Sequence, residues 1–187
     1  MFQVRSWLSE QIAPLHAEVD RRAGGFDIST EAGADALTRF LAVGVHDVEA
    51  GLDTAGAAAV LPEYESRARR HLLPAPAGGH PVVLSSVAAV WGALYVLEGS
   101  RLGGRWLAKQ SSHLRKHPFF AKDEPVFWPI FLSRLEAACA GDALDRGDLL
   151  AGARAAFEAF LRVDPSQLET LAFANSGRVA GVRELCA

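Results

Sequence analysis

Two groups of residues in this 187-residue chain have types and spacings suited to chemistry. His16 and Asp20 stand four positions apart, which on a helix puts them about 40° apart on one face. An imidazole can bind a metal ion through one ring nitrogen while an acceptor holds the N–H of the other and so fixes its tautomer. The second group is Gly99, Ser100, Gly103 and Gly104, within an otherwise helix-forming run from Tyr95 to Lys109. Each glycine costs about 1 kcal/mol against alanine inside a helix, so the bare backbone must be offset by something that approaches it closely. A neighbouring helix or a flat ligand would fit. Each group also has a plain structural reading, His16 as a half-buried polar residue with a solvated Asp20, and the glycines as a close helix contact.

The elements that position these residues follow from hydrophobic periodicity. Trp7, Leu8, Ile12, Leu15 and Val19 recur at three- and four-residue steps and predict a helix from Arg5 to Arg22, ended by Gly24 and Gly25. A second amphipathic helix starts after Ser29 and runs towards Glu49. A third, short one is expected from Pro62 to Leu73, with Arg67, Arg69, Arg70 and His71 as a solvated face, before the loop Pro74 to Gly79. Val82 to Ser112 is apolar nearly all round in its first half and predicts a central buried helix carrying the glycines. His113 to Pro125 reads as a connection. Further helices are expected over Phe127–Ala140, Asp148–Val163 and Gln167–Leu185. No strand-length alternation stands out, so the fold class is all-α, as a single domain over residues 1–187.

Composition narrows the function. A net charge of -3, from 19 basic and 22 acidic residues, argues against a nucleic-acid-binding surface. Cys139 and Cys186 form no ligand or disulfide pattern, and no apolar run reaches the roughly 18 residues of a membrane span. These features lead us to expect a cytoplasmic protein with no membrane partner. No glutamate has a histidine three positions on, which removes the di-iron helical pattern, and neither H-E-x-x-H nor a P-loop is present.

Leu97-Glu-Gly-Ser-Arg-Leu-Gly-Gly104, preceded by Tyr95 and followed by Arg105 and Lys109, resembles the distal helix of bacterial haem oxygenases, the biliverdin-producing family often associated with bacteriophytochromes. The resemblance covers most of residues 5 to 163 and is weakest between Asp53 and Pro81. It implies an all-α haem oxygenase-like bundle that opens haem with O₂ and electrons from a ferredoxin or reductase, releasing biliverdin, ferrous iron and CO. Haem would be both substrate and cofactor. The resemblance makes His16 the iron ligand with Asp20 beside it, and Gly99, Ser100, Gly103 and Gly104 the distal wall that steers attack to one meso carbon. Arg134 is the first candidate for a propionate, followed by Arg154, Arg105 and Lys109, and Phe157 resembles the aromatic that packs on the haem. Ser9 and Ile12 stand where the family usually has arginine and threonine, so an N-terminal propionate contact is not expected. A haem-binding protein that stores, senses or delivers haem without turnover would share these residues. So would a helical interaction module that kept the fold and lost the haem.

Overall fold

The computed structural model describes residues 3–120, 127–140 and 143–168. Within them the chain is all-α: α1 (Val4–Ala23), α2 (Glu31–Thr54), α3 (Ala57–Val60), α4 (Tyr64–Arg67), α5 (Val87–Gln110), α6 (Ser112–Lys116), α7 (Trp128–Ala138) and α8 (Arg146–Leu161). No described helix is long and apolar enough to cross a membrane.

Side-chain caps mark the starts of α2, α5, α6 and α8. The Thr30 hydroxyl accepts from the Gly33 N–H at 3.1 Å, Ser86 caps α5 through Ala89 N–H, and Asp145 caps α8 through Asp148 N–H at 2.8 Å. Gly24 follows α1 with φ -67°, so it does not supply the left-handed turn that glycine often gives a helix end. Val82 to Ser86, expected as helix, is not helical. Val82 N–H instead bonds the Asp47 carbonyl, and its side chain fills the space beside Gly51. The expected Pro62–Leu73 helix is likewise replaced by α4 and a separate 3-10 turn at Arg70–Leu72. The cause is the buried Glu49 carboxylate of α2, which takes the backbone N–H groups of Arg69 and Arg70 at 2.8 to 3.0 Å. The connection expected from His113 contains α6 and a 3-10 turn at Pro118–Phe120. The last expected helix lies outside the described residues beyond Leu168.

α8 is the hub: it packs along α5 most extensively and also on α2 and α1. Its approach to α5 is set by glycines that lie outside the Tyr95–Lys109 run. A Cβ at Gly92 would stand 2.0 Å from the Leu149 carbonyl oxygen, and one at Gly152 would stand 1.9 Å from that of Ala89. Both distances are far inside van der Waals contact, so any side chain forces the helices apart. Gly152→Ala is therefore expected to destabilise the protein by about 3 kcal/mol, read as a lowered midpoint in urea unfolding.

His46 of α2 is half-buried, with a buried Nε2 that has no hydrogen-bond partner. Burial pushes its pKa below the usual 6.5, and burial does the same to His117. An imidazole held neutral in the folded state stabilises it fully above the unfolded pKa of 6.5, and that contribution is lost as pH falls through the lowered folded value. Stability should therefore fall between pH 7 and 5. In His46→Gln/His117→Gln the decline should be shallower, which urea unfolding at both pH values would measure.

Candidate functional site

α1 presents His16 near its middle, two residues after Pro14, which lies inside the helix without an N–H to donate. The His16 side chain is 60% exposed, and its Nδ1 lies 2.9 Å from Asp20 Oδ2. A carboxylate at that position holds the ring proton on Nδ1 and leaves the Nε2 lone pair available. On the other side the imidazole meets the buried Phe157 of α8 edge-on, with ring centroids 5.6 Å apart. The structure thus brings together three residues from two helices at opposite ends of the described sequence. Arg22 continues the same seam by donating to the carbonyls of Leu161 and Val163. α1 and α8 therefore run side by side in the same direction, and the exposed Arg154 is one turn before Phe157.

The glycine stretch lies in the second half of α5. A Cβ on Gly99 would come no closer than 3.6 Å to Trp128, and one on Gly104 no closer than 3.5 Å to Phe120. Both are ordinary contacts. A Cβ on Gly103 would meet nothing within 4 Å, and Gly103 and Ser100 are both exposed. Among the described residues this stretch is therefore not a close helix contact, in contrast to Gly92 and Gly152. The Ser100 hydroxyl donates to the Leu97 carbonyl at 2.7 Å, so it can only accept from a water or ligand.

α1 and α5 both reach one apolar cluster. Val19, one turn after His16, and Ala108, one turn after Gly104, belong to the same apolar cluster around Leu37 and Phe40 of α2. α1 and α5 do not pack along one another among the described residues.

The cationic candidates separate. Arg134 of α7 pairs with Glu63 and lies 5.8 Å from the centre of the Phe127 ring. The guanidinium holds the Glu63 carboxyl below the usual carboxylate range. Arg105 lines a polar notch with Arg67, Glu98 and Arg101, about 160° around α5 from Gly103. It therefore points away from the glycine face. Arg67, expected as part of a solvated face, is instead nearly buried: its side chain is 11% exposed and grips Glu98 bidentately at 2.6 and 2.9 Å. Sequence reading gave no signal for that pair, because the partners are 31 residues apart on different helices. No group of three or more metal-ligating side chains occurs among the described residues, so any metal held at His16 would bring most of its own ligands.

The described residues form an all-α bundle with an exposed, carboxylate-held imidazole on α1 and an open stretch of backbone on α5. The imidazole donor, the open Gly103 and the aromatic Phe157 fit a flat, metal-centred ligand. The chain is similar to a curated protein named Heme oxygenase from Xanthomonas campestris pv. campestris (strain 8004), at 39% identity over 87 residues, 43% of this chain and 52% of that protein. It thus spans about half the length of that relative. No family model matches the chain.

Proposed function

We propose that this protein is a haem oxygenase that converts haem to biliverdin, ferrous iron and CO. The observation that carries the reading is His16, exposed on α1 with Nδ1 held by Asp20 and its ring against Phe157 of α8, and the open backbone at Gly103 agrees with it. The likeness to a haem oxygenase supports it.

When bound, haem supplies both the iron that activates O₂ and the porphyrin edge that is oxidised. The protein's own residues bind, orient and exclude. His16 would hold the iron through Nε2, because Asp20 keeps the proton on Nδ1 and makes the ring a better donor. Phe157 limits rotation of the imidazole by its edge contact. Gly103 leaves room for O₂ beside the helix, and Ser100 offers an acceptor for a water there. Arg154, exposed one turn from Phe157, is the nearer propionate candidate along the α1–α8 seam. Arg134 would have to share its guanidinium between Glu63 and a propionate. Electrons would come from a ferredoxin or a reductase.

The test is a haem titration followed by reduction under air with an electron donor. A Soret band that gives way to biliverdin absorbance, with CO released, is the expected result. A stable Soret band without biliverdin would make the protein a haem carrier or sensor. No Soret band would remove haem from its function.

A further inference from the structure

None of residues 99 to 104 of α5 is buried. A Cβ on Gly103 would meet nothing within 4 Å, and one on Gly99 or Gly104 would make only ordinary contacts, with Trp128 and Phe120 respectively. Which way residues 99 to 104 face is therefore held from their flanks, by the buried Ala88–Leu97 part before them, by Ala108 after them, and by the charged face between. At about 100° per residue, Gly99, Ser100, Gly103 and Gly104 centre about 170° from Glu98, and Arg101 lies on the Glu98 side. The open face and the Glu98 face are thus back to back.

That opposite face is held by charge. The Glu98 carboxylate is 4% exposed and receives both arms of the Arg67 fork, at 2.9 Å from Nε and 2.6 Å from Nη2. Arg101 Nε adds a third contact at 3.2 Å, and another Arg101 nitrogen donates to the Arg67 carbonyl. The segment bearing Arg67 is anchored in turn, since Glu49 of α2 accepts from the backbone N–H groups of Arg69 and Arg70 just beyond it. The Arg67 guanidinium also lies 4.3 Å from the centre of the Phe127 ring, next in sequence to the Trp128 that flanks Gly99. A buried ion pair of this kind seldom adds net stability over an apolar pair of the same size, whereas a bidentate fork constrains both distance and plane.

We infer that the Arg67–Glu98–Arg101 clamp is a positioning device that fixes the rotation of the glycine half of α5 and so sets which haem edge is presented for oxidation. The first part stands on this structure alone. The second rests on the haem oxygenase reading.

The experiment uses the full chain with Arg67→Lys, which keeps the charge and removes the fork. Three quantities are compared with wild type: amide hydrogen exchange of the apo-protein, the proton NMR pattern of the ferric haem methyl groups, and the biliverdin isomer ratio. Amides at 99–104 should exchange about tenfold faster while those of α8 keep their wild-type rates. The methyl pattern should show a changed mixture of in-plane orientations, and the isomer ratio should move by about threefold or more, a difference of about 0.65 kcal/mol between competing outcomes. Unchanged exchange at 99–104 overturns the clamp, whatever haem does. Faster exchange with an unchanged methyl pattern and isomer ratio overturns its link to orientation. A wild-type protein that shows no Soret band overturns the haem reading and the orientation step together, while the exchange comparison still decides the clamp. If Arg67→Lys does not fold, Glu98→Gln, which keeps shape and removes charge, is measured in the same three ways.

Discussion

On the haem oxygenase reading, replacing His16 with alanine is expected to remove the protein's bond to iron and most haem turnover while leaving the apo-protein folded. The side chain is 60% exposed and touches only Asp20 and the edge of Phe157 in the interactions described above. Exposed substitutions of this kind cost about 0.5 kcal/mol or less, so the urea midpoint should barely move. Haem affinity should fall far more, by about ten- to a hundredfold, because outside the His16 bond only apolar contacts and propionate partners remain. The Soret band should shift and broaden, and added imidazole should restore part of both the spectrum and the rate by filling the vacated position. Asp20→Asn should give a milder version of the same change, since an amide oxygen still accepts from Nδ1–H but carries no charge. A His16→Ala protein with the wild-type Soret band and rate would move the ligand elsewhere and dissolve the site as described.

The parts of this architecture that were legible in the sequence are those whose signal is local. The three- and four-residue apolar steps from Trp7 to Val19 place α1, Thr30 marks the start of α2, and Asp145 caps a helix that begins two residues before its expected start. His16 and Asp20 could be paired from spacing alone, because four residues on a helix is a contact distance. The failures are all tertiary. The apolar run Val82–Val87 cannot reveal by itself that Asp47 and Gly51 will claim its first residue for an extended approach to α2. Arg67, Arg69 and Arg70 resemble any charged helix face, and only the fold brings Glu49 and Glu98 to them. Gly92 and Gly152 look like isolated weak points in two helices. Their meaning appears when α5 and α8 are laid together, where each leaves room for the other's backbone.

That contrast between two kinds of glycine gives the second large effect. Gly103→Val is expected to leave the apo-protein about as stable as wild type, or slightly more so, because valine has the better helix propensity and its Cβ meets nothing within 4 Å. The same helix carries a built-in reference in Gly92, where Gly92→Val would drive side-chain atoms into the Leu149 carbonyl and should unfold the protein or nearly so. If residues 99 to 104 served only to let helices approach, the two variants would behave alike. On the haem oxygenase reading the defect of Gly103→Val shows only once ligand is added. Gly103→Val should still take up ferric haem through His16, yet its isopropyl group would occupy space beside the iron needed by O₂ and an ordered water. Biliverdin formation should then slow by about a hundredfold, a barrier increase of about 2.7 kcal/mol. Paired measurements on each variant decide it: urea unfolding without haem, and single-turnover haem loss with it. A Gly103→Val protein that unfolds early, or one that folds normally and degrades haem at the wild-type rate, would show that the open face of α5 is not the wall of the reaction site.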